Sequence, residues 1–301
     1  MSTAVAFPRT RRVVAVLTGC LALFALLAIP TTSSALAGSA YVRLNQLGYP
    51  MGVGFGLVSG GEVVSHAATP TTIVTIQFDD GLADQYQTLA ILGRYGLHAT
   101  YYVNTGVTGD VDHMSWTQLQ DLYAADNEIG GHTLLHTNIK KLKTGPARQT
   151  VCTDRNNLYS HGLNPVSFAY PFGSYDAGSE AVVQACGYNS ARTVSGVNDR
   201  KVYAETVPPL DPYATRTPPN PKQGTTLATI EGYVTAAETH GGGWVQLVFH
   251  HVCDNNCDAY SITPANLDAL SAWLVARAAS GTVVETTAQV VGGPVHSPVT
   301  P

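Results

Sequence analysis

Thr71–Gly81 reads TTIVTIQFDDG, a β-branched apolar run that ends in two adjacent carboxylates, Asp79 and Asp80, and a glycine. Short Val/Ile/Thr-rich runs closed by a turn residue predict a buried strand, so the acidic pair is expected at the strand's exit, where open α/β sheets and barrels carry their chemistry. Alternation along a strand would send Asp79 and Asp80 to opposite sides and give them different neighbours. Two readings stand at this point. Either one carboxylate caps a helix that begins near Leu82 to Asp84, or the pair does chemistry; a cap needs only one of the two.

Downstream of this stretch, helix-like and strand-like segments alternate. Helical periodicity is expected over Ala83 to Tyr95, from Ser115 as cap to Ala125, over Pro146 to His161, Ser179 to Cys186, Thr225 to His240 and Thr263 to Ala279. Strands are expected over His98 to Asn104, up to Gly130, and over Val166 to Tyr170, Ser190 to Val194, Trp244 to Phe249 and Thr282 to Glu285. The Pro-rich stretch Asn198 to Gly224 reads as a long excursion over the surface, and the tail 292–301 as disordered. This βα rhythm predicts an α/β fold with a mainly parallel sheet closing into a barrel, one domain over about residues 69–291.

Upstream, Arg9, Arg11 and Arg12 precede an apolar run from Val13 to Ile29 and then Ser34-Ala35-Leu36-Ala37. A basic region, an apolar core and a small-x-small site predict a secretory signal peptide over residues 1–37. Arg11-Arg12 leaves a twin-arginine variant open, and Leu17-Thr18-Gly19-Cys20 a lipoprotein variant; the apolar run continuing past Cys20 favours a secreted soluble protein, free or associated with the cell wall. Residues 38–68 read as a linker or a docked N-terminal segment. Within it Tyr41–Pro50, YVRLNQLGYP, resembles the first strand of immunoglobulin-like modules that precede some glycoside hydrolase domains.

Of the 301 residues 12% are charged, about half the usual ~25%, and the net charge is −5, with no basic patch. That excludes nucleic acid and anionic membrane as main partners and suits a neutral polar substrate. The chain is expected to leave the membrane after signal cleavage and to act as a monomer. Four cysteines remain in the mature chain, and export favours disulfides over a metal site: Cys253 with Cys257 and Cys152 with Cys186.

Three further constellations carry chemistry. Glu128–His136, EIGGHTLLH, sets His132 and His136 four residues apart; in a helix or its first turn that spacing puts both imidazoles on one face, and two imidazoles with a carboxylate make a common catalytic metal set. Phe168–Asp176, FAYPFGSYD, ends a strand in Pro171, which fixes the chain direction, and Gly173, which permits a tight turn; either the Phe172 amide is aimed into a cleft as an oxyanion donor or the aromatic turn only plugs the barrel mouth. Leu247–His251, LVFHH, ends another strand, and alternation favours His250 over His251 as the residue facing the site.

In order and spacing, QFDDG, HTLLH, YPFG and LVFH resemble the polysaccharide deacetylases, the family 4 carbohydrate esterases, over Thr71 to Val284. The resemblance implies a distorted (β/α) barrel and one divalent metal ion, with zinc expected. It implies Asp80, His132 and His136 as metal ligands, Asp79 as catalytic base, His250 as general acid and Phe172 as backbone oxyanion donor. Tyr170, Pro171 and Tyr175 are expected to bind substrate; Tyr101, Tyr102 and Tyr213 suit sugar stacking or packing equally. Ala169 stands where many members have an arginine, so the group that orients the base is expected from Arg192 or Arg216. The acid that tunes the last histidine is expected at Asp199 or Asp211. The implied activity is removal of N-acetyl groups from a chitin-, peptidoglycan- or exopolysaccharide-like glycan. An O-acetyl xylan esterase and a catalytically silent carbohydrate-binding barrel are the alternatives.

Overall fold

The computed structural model describes residues 72–198, 200–254, 257 and 259–301. The expected signal peptide, the 38–68 segment with its immunoglobulin-like stretch, and Asp199 lie outside the described residues. The strands are β1 (Thr72–Phe78), β2 (Thr100–Val103), β3 (Glu128–Gly131), β4 (Ser167–Ala169), β5 (Ser190–Gly196), β6 (Thr215–Thr217) and β7 (Gly243–Phe249), followed by β8 (His251–Val252), β9 (Ser261–Ile262) and β10 (Thr282–Val284). Helices α1 (Thr88–Gly93), α2 (Trp116–Ala124), α3 (Thr144–Ser160), α4 (Ala177–Ala185), α5 (Leu227–Thr239), α6 (Pro264–Arg277) and α7 (Thr287–Val291) flank them.

The main sheet runs β10-β1-β2-β3-β4-β5-β6 with β7 also on β1, and every one of these pairings is parallel. One edge of β1 is divided: Thr72–Val74 pairs with β10, and Gln77 and Phe78 pair with β2. The result is a curled half-barrel with an open seam between β6 and β7, where the Gln246 side-chain amide donates to the Arg216 carbonyl. This is the distorted (β/α) barrel the motifs implied. Parallel strands covered on both faces read as near-continuous apolar runs, which is why β1 and β7 were legible.

Two cores hold the sheet. The larger packs β1, β2 and β7 against α1, α2, α5 and α6 through Ile76, Phe78, Leu122, Val234, Phe249 and Leu270. The smaller packs β4 and β5 against α3 and α4 through Val151, Phe168, Val183 and Tyr188, and the Cys152–Cys186 disulfide lies inside it. Cys253–Cys257 closes the short loop after β8. Both bridges pair as expected. No described helix is long and apolar enough to cross a membrane.

Three expectations differ from the structure. The segment after the acidic pair opens as a 3-10 turn, Ala83–Gln87, before α1, because the Gln85 and Gln87 side chains turn back to strand-end carbonyls. The 198–224 excursion is not all surface: it contributes β6 and an antiparallel bridge from Glu205 to Trp244, and buried Glu205 pairs with Arg216. The tail past Gly292 is strapped along α3 by its own carbonyls, which accept from Arg148, Arg155 and Asn156, while Val299 packs on the smaller core.

Candidate metal centre and its surrounding residues

All four motif stretches end strands at the same rim of the sheet. β1 delivers Asp79 and Asp80, β3 delivers His132, β4 leads into Phe172, and β7 into His250. Asp80 has φ 75, a left-handed conformation, so the chain swings instead of alternating. Both carboxylates therefore turn into one site and are not sent to opposite sides, yet they meet different partners. Neither caps a helix: Leu82 occupies the N-cap of the 3-10 turn without a side-chain bond.

The histidines converge by a tight turn after β3, and not by the helical register expected from their spacing. Thr133 (φ 68) and His136 (φ 50) are left-handed. Of the seven described non-glycine residues with positive φ, four (Asp80, Thr133, His136 and Phe172) lie in these motifs. Such conformations cost of order 1–3 kcal/mol each and persist where surrounding contacts over-determine them. Those contacts are visible. Asn104 donates to the His132 and Thr133 carbonyls (2.6 and 3.0 Å), the His132 amide donates to Asp154 Oδ2 (3.1 Å), and His132 Nδ1 sits 2.7 Å from the Ala169 carbonyl. The last contact leaves Nε2 as the free ligand atom.

His132 Nε2 and His136 Nε2 lie 3.4 and 3.5 Å from Asp80 Oδ1, and the three ligand atoms fall within 4.8 Å of one another. Ligands about 2.0–2.1 Å from a tetrahedral metal stand about 3.3 Å apart, so the cluster is close to the spacing such an ion requires. Asp80 Oδ1 is buried with no hydrogen-bond donor among the described residues. Burial alone would raise the Asp80 carboxyl; His132, His250 and His136 outweigh it and hold the group well below the usual carboxylate range. Burial and the adjacent His132 push the His136 imidazole down, which favours its neutral, ligating form. The donor set and the orphaned oxygen fit a divalent cation.

Asp79 is gripped from the other side. Arg192 Nη2 donates to both of its oxygens, at 2.5 and 2.6 Å, and the two side chains are 1% and 4% exposed. Of the two arginines expected for this task, the structure thus brings Arg192 to Asp79. Arg216 is taken by Glu205. Asp211 accepts from the Tyr213 amide. His250 Nε2 stands 4.0 Å from an oxygen of each aspartate, while its Nδ1 is buried and has no partner among the described residues. His251 turns away to Asp84, 2.7 Å.

Phe172 is left-handed at φ 62 and 64% exposed, with its ring centroid 4.4 Å from that of His136 in an edge-on arrangement. Its amide donates to no backbone carbonyl among the described residues. The side chains expected to contact substrate at this turn make packing contacts. Tyr170 is 1% exposed with its hydroxyl bonded to the Tyr213 carbonyl, Pro171 is buried, and Tyr175 stacks on Tyr170. Tyr101 and Tyr102 are fully buried as well. Aromatic residues at a strand end pack as readily as they bind, and these pack.

The sequence reading missed Asp154, Asn104 and Gln85. Asp154 had a signal: with Val151, Arg155 and Leu158 it occupies the buried stripe of α3, where a charged residue requires a partner. Asn104 and Gln85 carried none. The cavity of about 430 Å³ between Val197–Tyr203 and α5 contains none of the site residues. Partly exposed His136 and exposed Phe172 leave the candidate cluster open to solvent on that side.

A sequence model described as polysaccharide deacetylase matches residues 66–191. YxkH of Bacillus subtilis (strain 168), assigned by name to the polysaccharide deacetylases, is 26% identical over 137 residues, 44% of this chain and 49% of that protein. The chain therefore spans about half the length of this curated relative. A family 4 carbohydrate esterase from Streptomyces lividans, solved in complex with acetate, superposes with a TM-score of 0.50 at 16% identity, over 72% of this chain and 93% of that one. The peptidoglycan deacetylase PdaC from Bacillus subtilis gives 0.49 at 17% identity, over 73% and 90%. The match lies across the Asp-Asp, His-x-x-x-His and Pro-Phe-Gly stretches, so residues 66–191 of this chain are similar to the polysaccharide deacetylase family.

Proposed function

We propose that this chain is an exported, metal-dependent hydrolase that removes N-acetyl groups from a chitin-, peptidoglycan- or exopolysaccharide-like glycan. The observation that carries the reading is the convergence of a three-ligand cluster, Asp80, His132 and His136, with a second carboxylate, Asp79, held by a buried arginine. A pure binding site has no use for that second carboxylate.

Asp80, His132 and His136 would hold the cation, with zinc proposed from the mixed N and O donors. When bound, it supplies Lewis acidity to the acetyl carbonyl and to water. Asp79 accepts the proton of the attacking water, and the bond to Arg192 fixes its direction of approach. The unengaged Phe172 amide donates to the oxyanion as the carbonyl carbon becomes tetrahedral. His250 then gives a proton to the departing amine, and the products are acetate and a free amino sugar. The solvent-open side of the cluster suits a polymer that runs past the site. The N-terminal stretch 1–37 is proposed to direct export.

One observation favours a second reading. The His250 Nδ1 has no acceptor behind it among the described residues, and an alcohol leaves with less help from an acid than an amine does. That favours O-acetyl esters such as acetylated xylan. The test is acetate release by the zinc-loaded protein from chitin oligomers, peptidoglycan and acetylated xylan. Release from the first two supports N-deacetylation, and release from xylan alone moves the assignment to the esterase. Silence on all three with metal bound would leave a carbohydrate-binding barrel. Asp80→Ala should lose metal and turnover together, and full metal occupancy in that variant would refute the ligand set.

A further inference from the structure

We infer that Gln85 is a positioning residue that locks the strand end bearing the acid to the strand end bearing the base. The inference rests on the roles proposed above for Asp79 and His250. β1 and β7 pair in register as far as Phe78 and Phe249, and the Asp79 amide continues the ladder to the Phe249 carbonyl at 2.9 Å. There the ladder stops. β1 swings away at left-handed Asp80, and β7 breaks at His250 before β8 begins. The next two carbonyls, of Asp79 and His250, lose their strand partners at a place shielded from water, where an unpaired carbonyl is costly.

Gln85, fully buried in the 3-10 turn, supplies both missing donors: its Nε2 lies 2.5 Å from the Asp79 carbonyl and 2.8 Å from the His250 carbonyl. A carboxamide has two N–H hydrogens and spends one on each. The flanking residues extend the grip. Asp84 meets His251 Nδ1 at 2.7 Å, and Gln87 Nε2 donates to the Val252 carbonyl at 2.6 Å, so 84, 85 and 87 hold 251, 250 and 252. The His250 ring has no bonded anchor of its own: Nδ1 is unpartnered among the described residues, and the ring lies beside Tyr260 at 5.1 Å. Its placement 4.0 Å from both aspartates is therefore set through its backbone, and Gln85 is the side chain that fixes that backbone against Asp79.

Gln85→Met keeps the length and removes the donors. On penta-N-acetylchitopentaose with zinc loaded, kcat should fall about 10- to 100-fold, the scale of a misplacement near 1 Å, while KM and zinc content stay within about twofold. In a His250→Ala background the same substitution should change kcat less than about twofold; an equal fall in both backgrounds would mean a merely structural role and overturn the inference. Should Gln85→Met fail to fold, Gln87→Leu, which removes only the outer bond, should lower kcat at constant KM, and an unchanged kcat overturns the clamp. Exchange of the Gln85 side-chain amide protons, followed by NMR, reads the clamp without turnover. A wild type that releases no acetate from the probe removes chitin oligomers from the functional reading, and exchange then decides the clamp alone: slow supports it, fast refutes it.

Discussion

Replacing Arg192 with methionine removes the cation that donates to both oxygens of Asp79, and the structure sets the size of the effect. The pair is closed at 2.5 and 2.6 Å and almost wholly buried, with Arg192 also donating to the Thr193 carbonyl and lying over the Tyr102 ring at 5.2 Å. Two unit charges about 4 Å apart attract by about 4 kcal/mol at an effective dielectric of 20. Removing one partner of a buried pair leaves the other charge stranded and typically costs 3–5 kcal/mol. At roughly 2–4 °C per kcal/mol for a domain of this size, the melting temperature should drop by about 6–20 °C. The assay is thermal and urea unfolding followed by circular dichroism in the presence of chelator, so that no cation substitutes for the guanidinium. Asp79→Asn combined with Arg192→Met should recover part of the loss, since no buried charge then remains. A cost below about 1 kcal/mol, the value of exposed pairs, would refute the reasoning. Arg192→Lys should restore the charge without the planar fork and fall short in turnover even where stability returns.

Gly131→Ala should lower zinc affinity and cost about 1–3 kcal/mol, because a Cβ there would meet the Tyr188 hydroxyl at 1.9 Å and Asp154 Oδ2 at 2.9 Å, directly behind His132; isothermal titration with zinc and wild-type affinity in the variant would refute the packing argument. Burial raises the Asp154 carboxyl to about 6, against bonds from Thr105 and His132 that oppose the shift. The folded protein therefore holds a proton between about pH 4 and 6 that the unfolded chain has released, and this contribution to stability is present below pH 4 and lost as pH rises through 6. Wild type measured against Asp154→Asn should lose about 3 kcal/mol over that window, from the two-unit shift at 1.36 kcal/mol per unit, and a flat difference would refute it.

The fold and the metal cluster were legible to different depths. The parallel barrel could be read because β1 and β7 are buried on both faces and write that burial as unbroken apolar runs. The candidate ligand cluster was legible in part because Asp80 and His132 lie just past the ends of β1 and β3. Their route together could not be read. Helical spacing suggested one face of a helix, whereas the chain uses left-handed Thr133 and His136, a backbone state that residue identity does not announce. The aromatic turn was not legible either: Tyr170 and Tyr175 have the chemistry of sugar contacts, but only packing decides which way a ring faces.

By itself the sequence determined the alternation of the main strands and helices and which motif stretches end strands, since these depend on local periodicity and composition; the cysteine pairing was an expectation among three and the short strand β6 was not read. Tertiary structure alone decided that, of Arg192 and Arg216, Arg192 on β5 meets Asp79, that Asp154 on α3 takes the His132 amide, and that Gln85 joins Asp79 to His250. Those contacts link residues 113, 22 and 165 positions apart. No local pattern encodes such partners, because a buried polar atom is satisfied by whichever group the folded chain brings within reach.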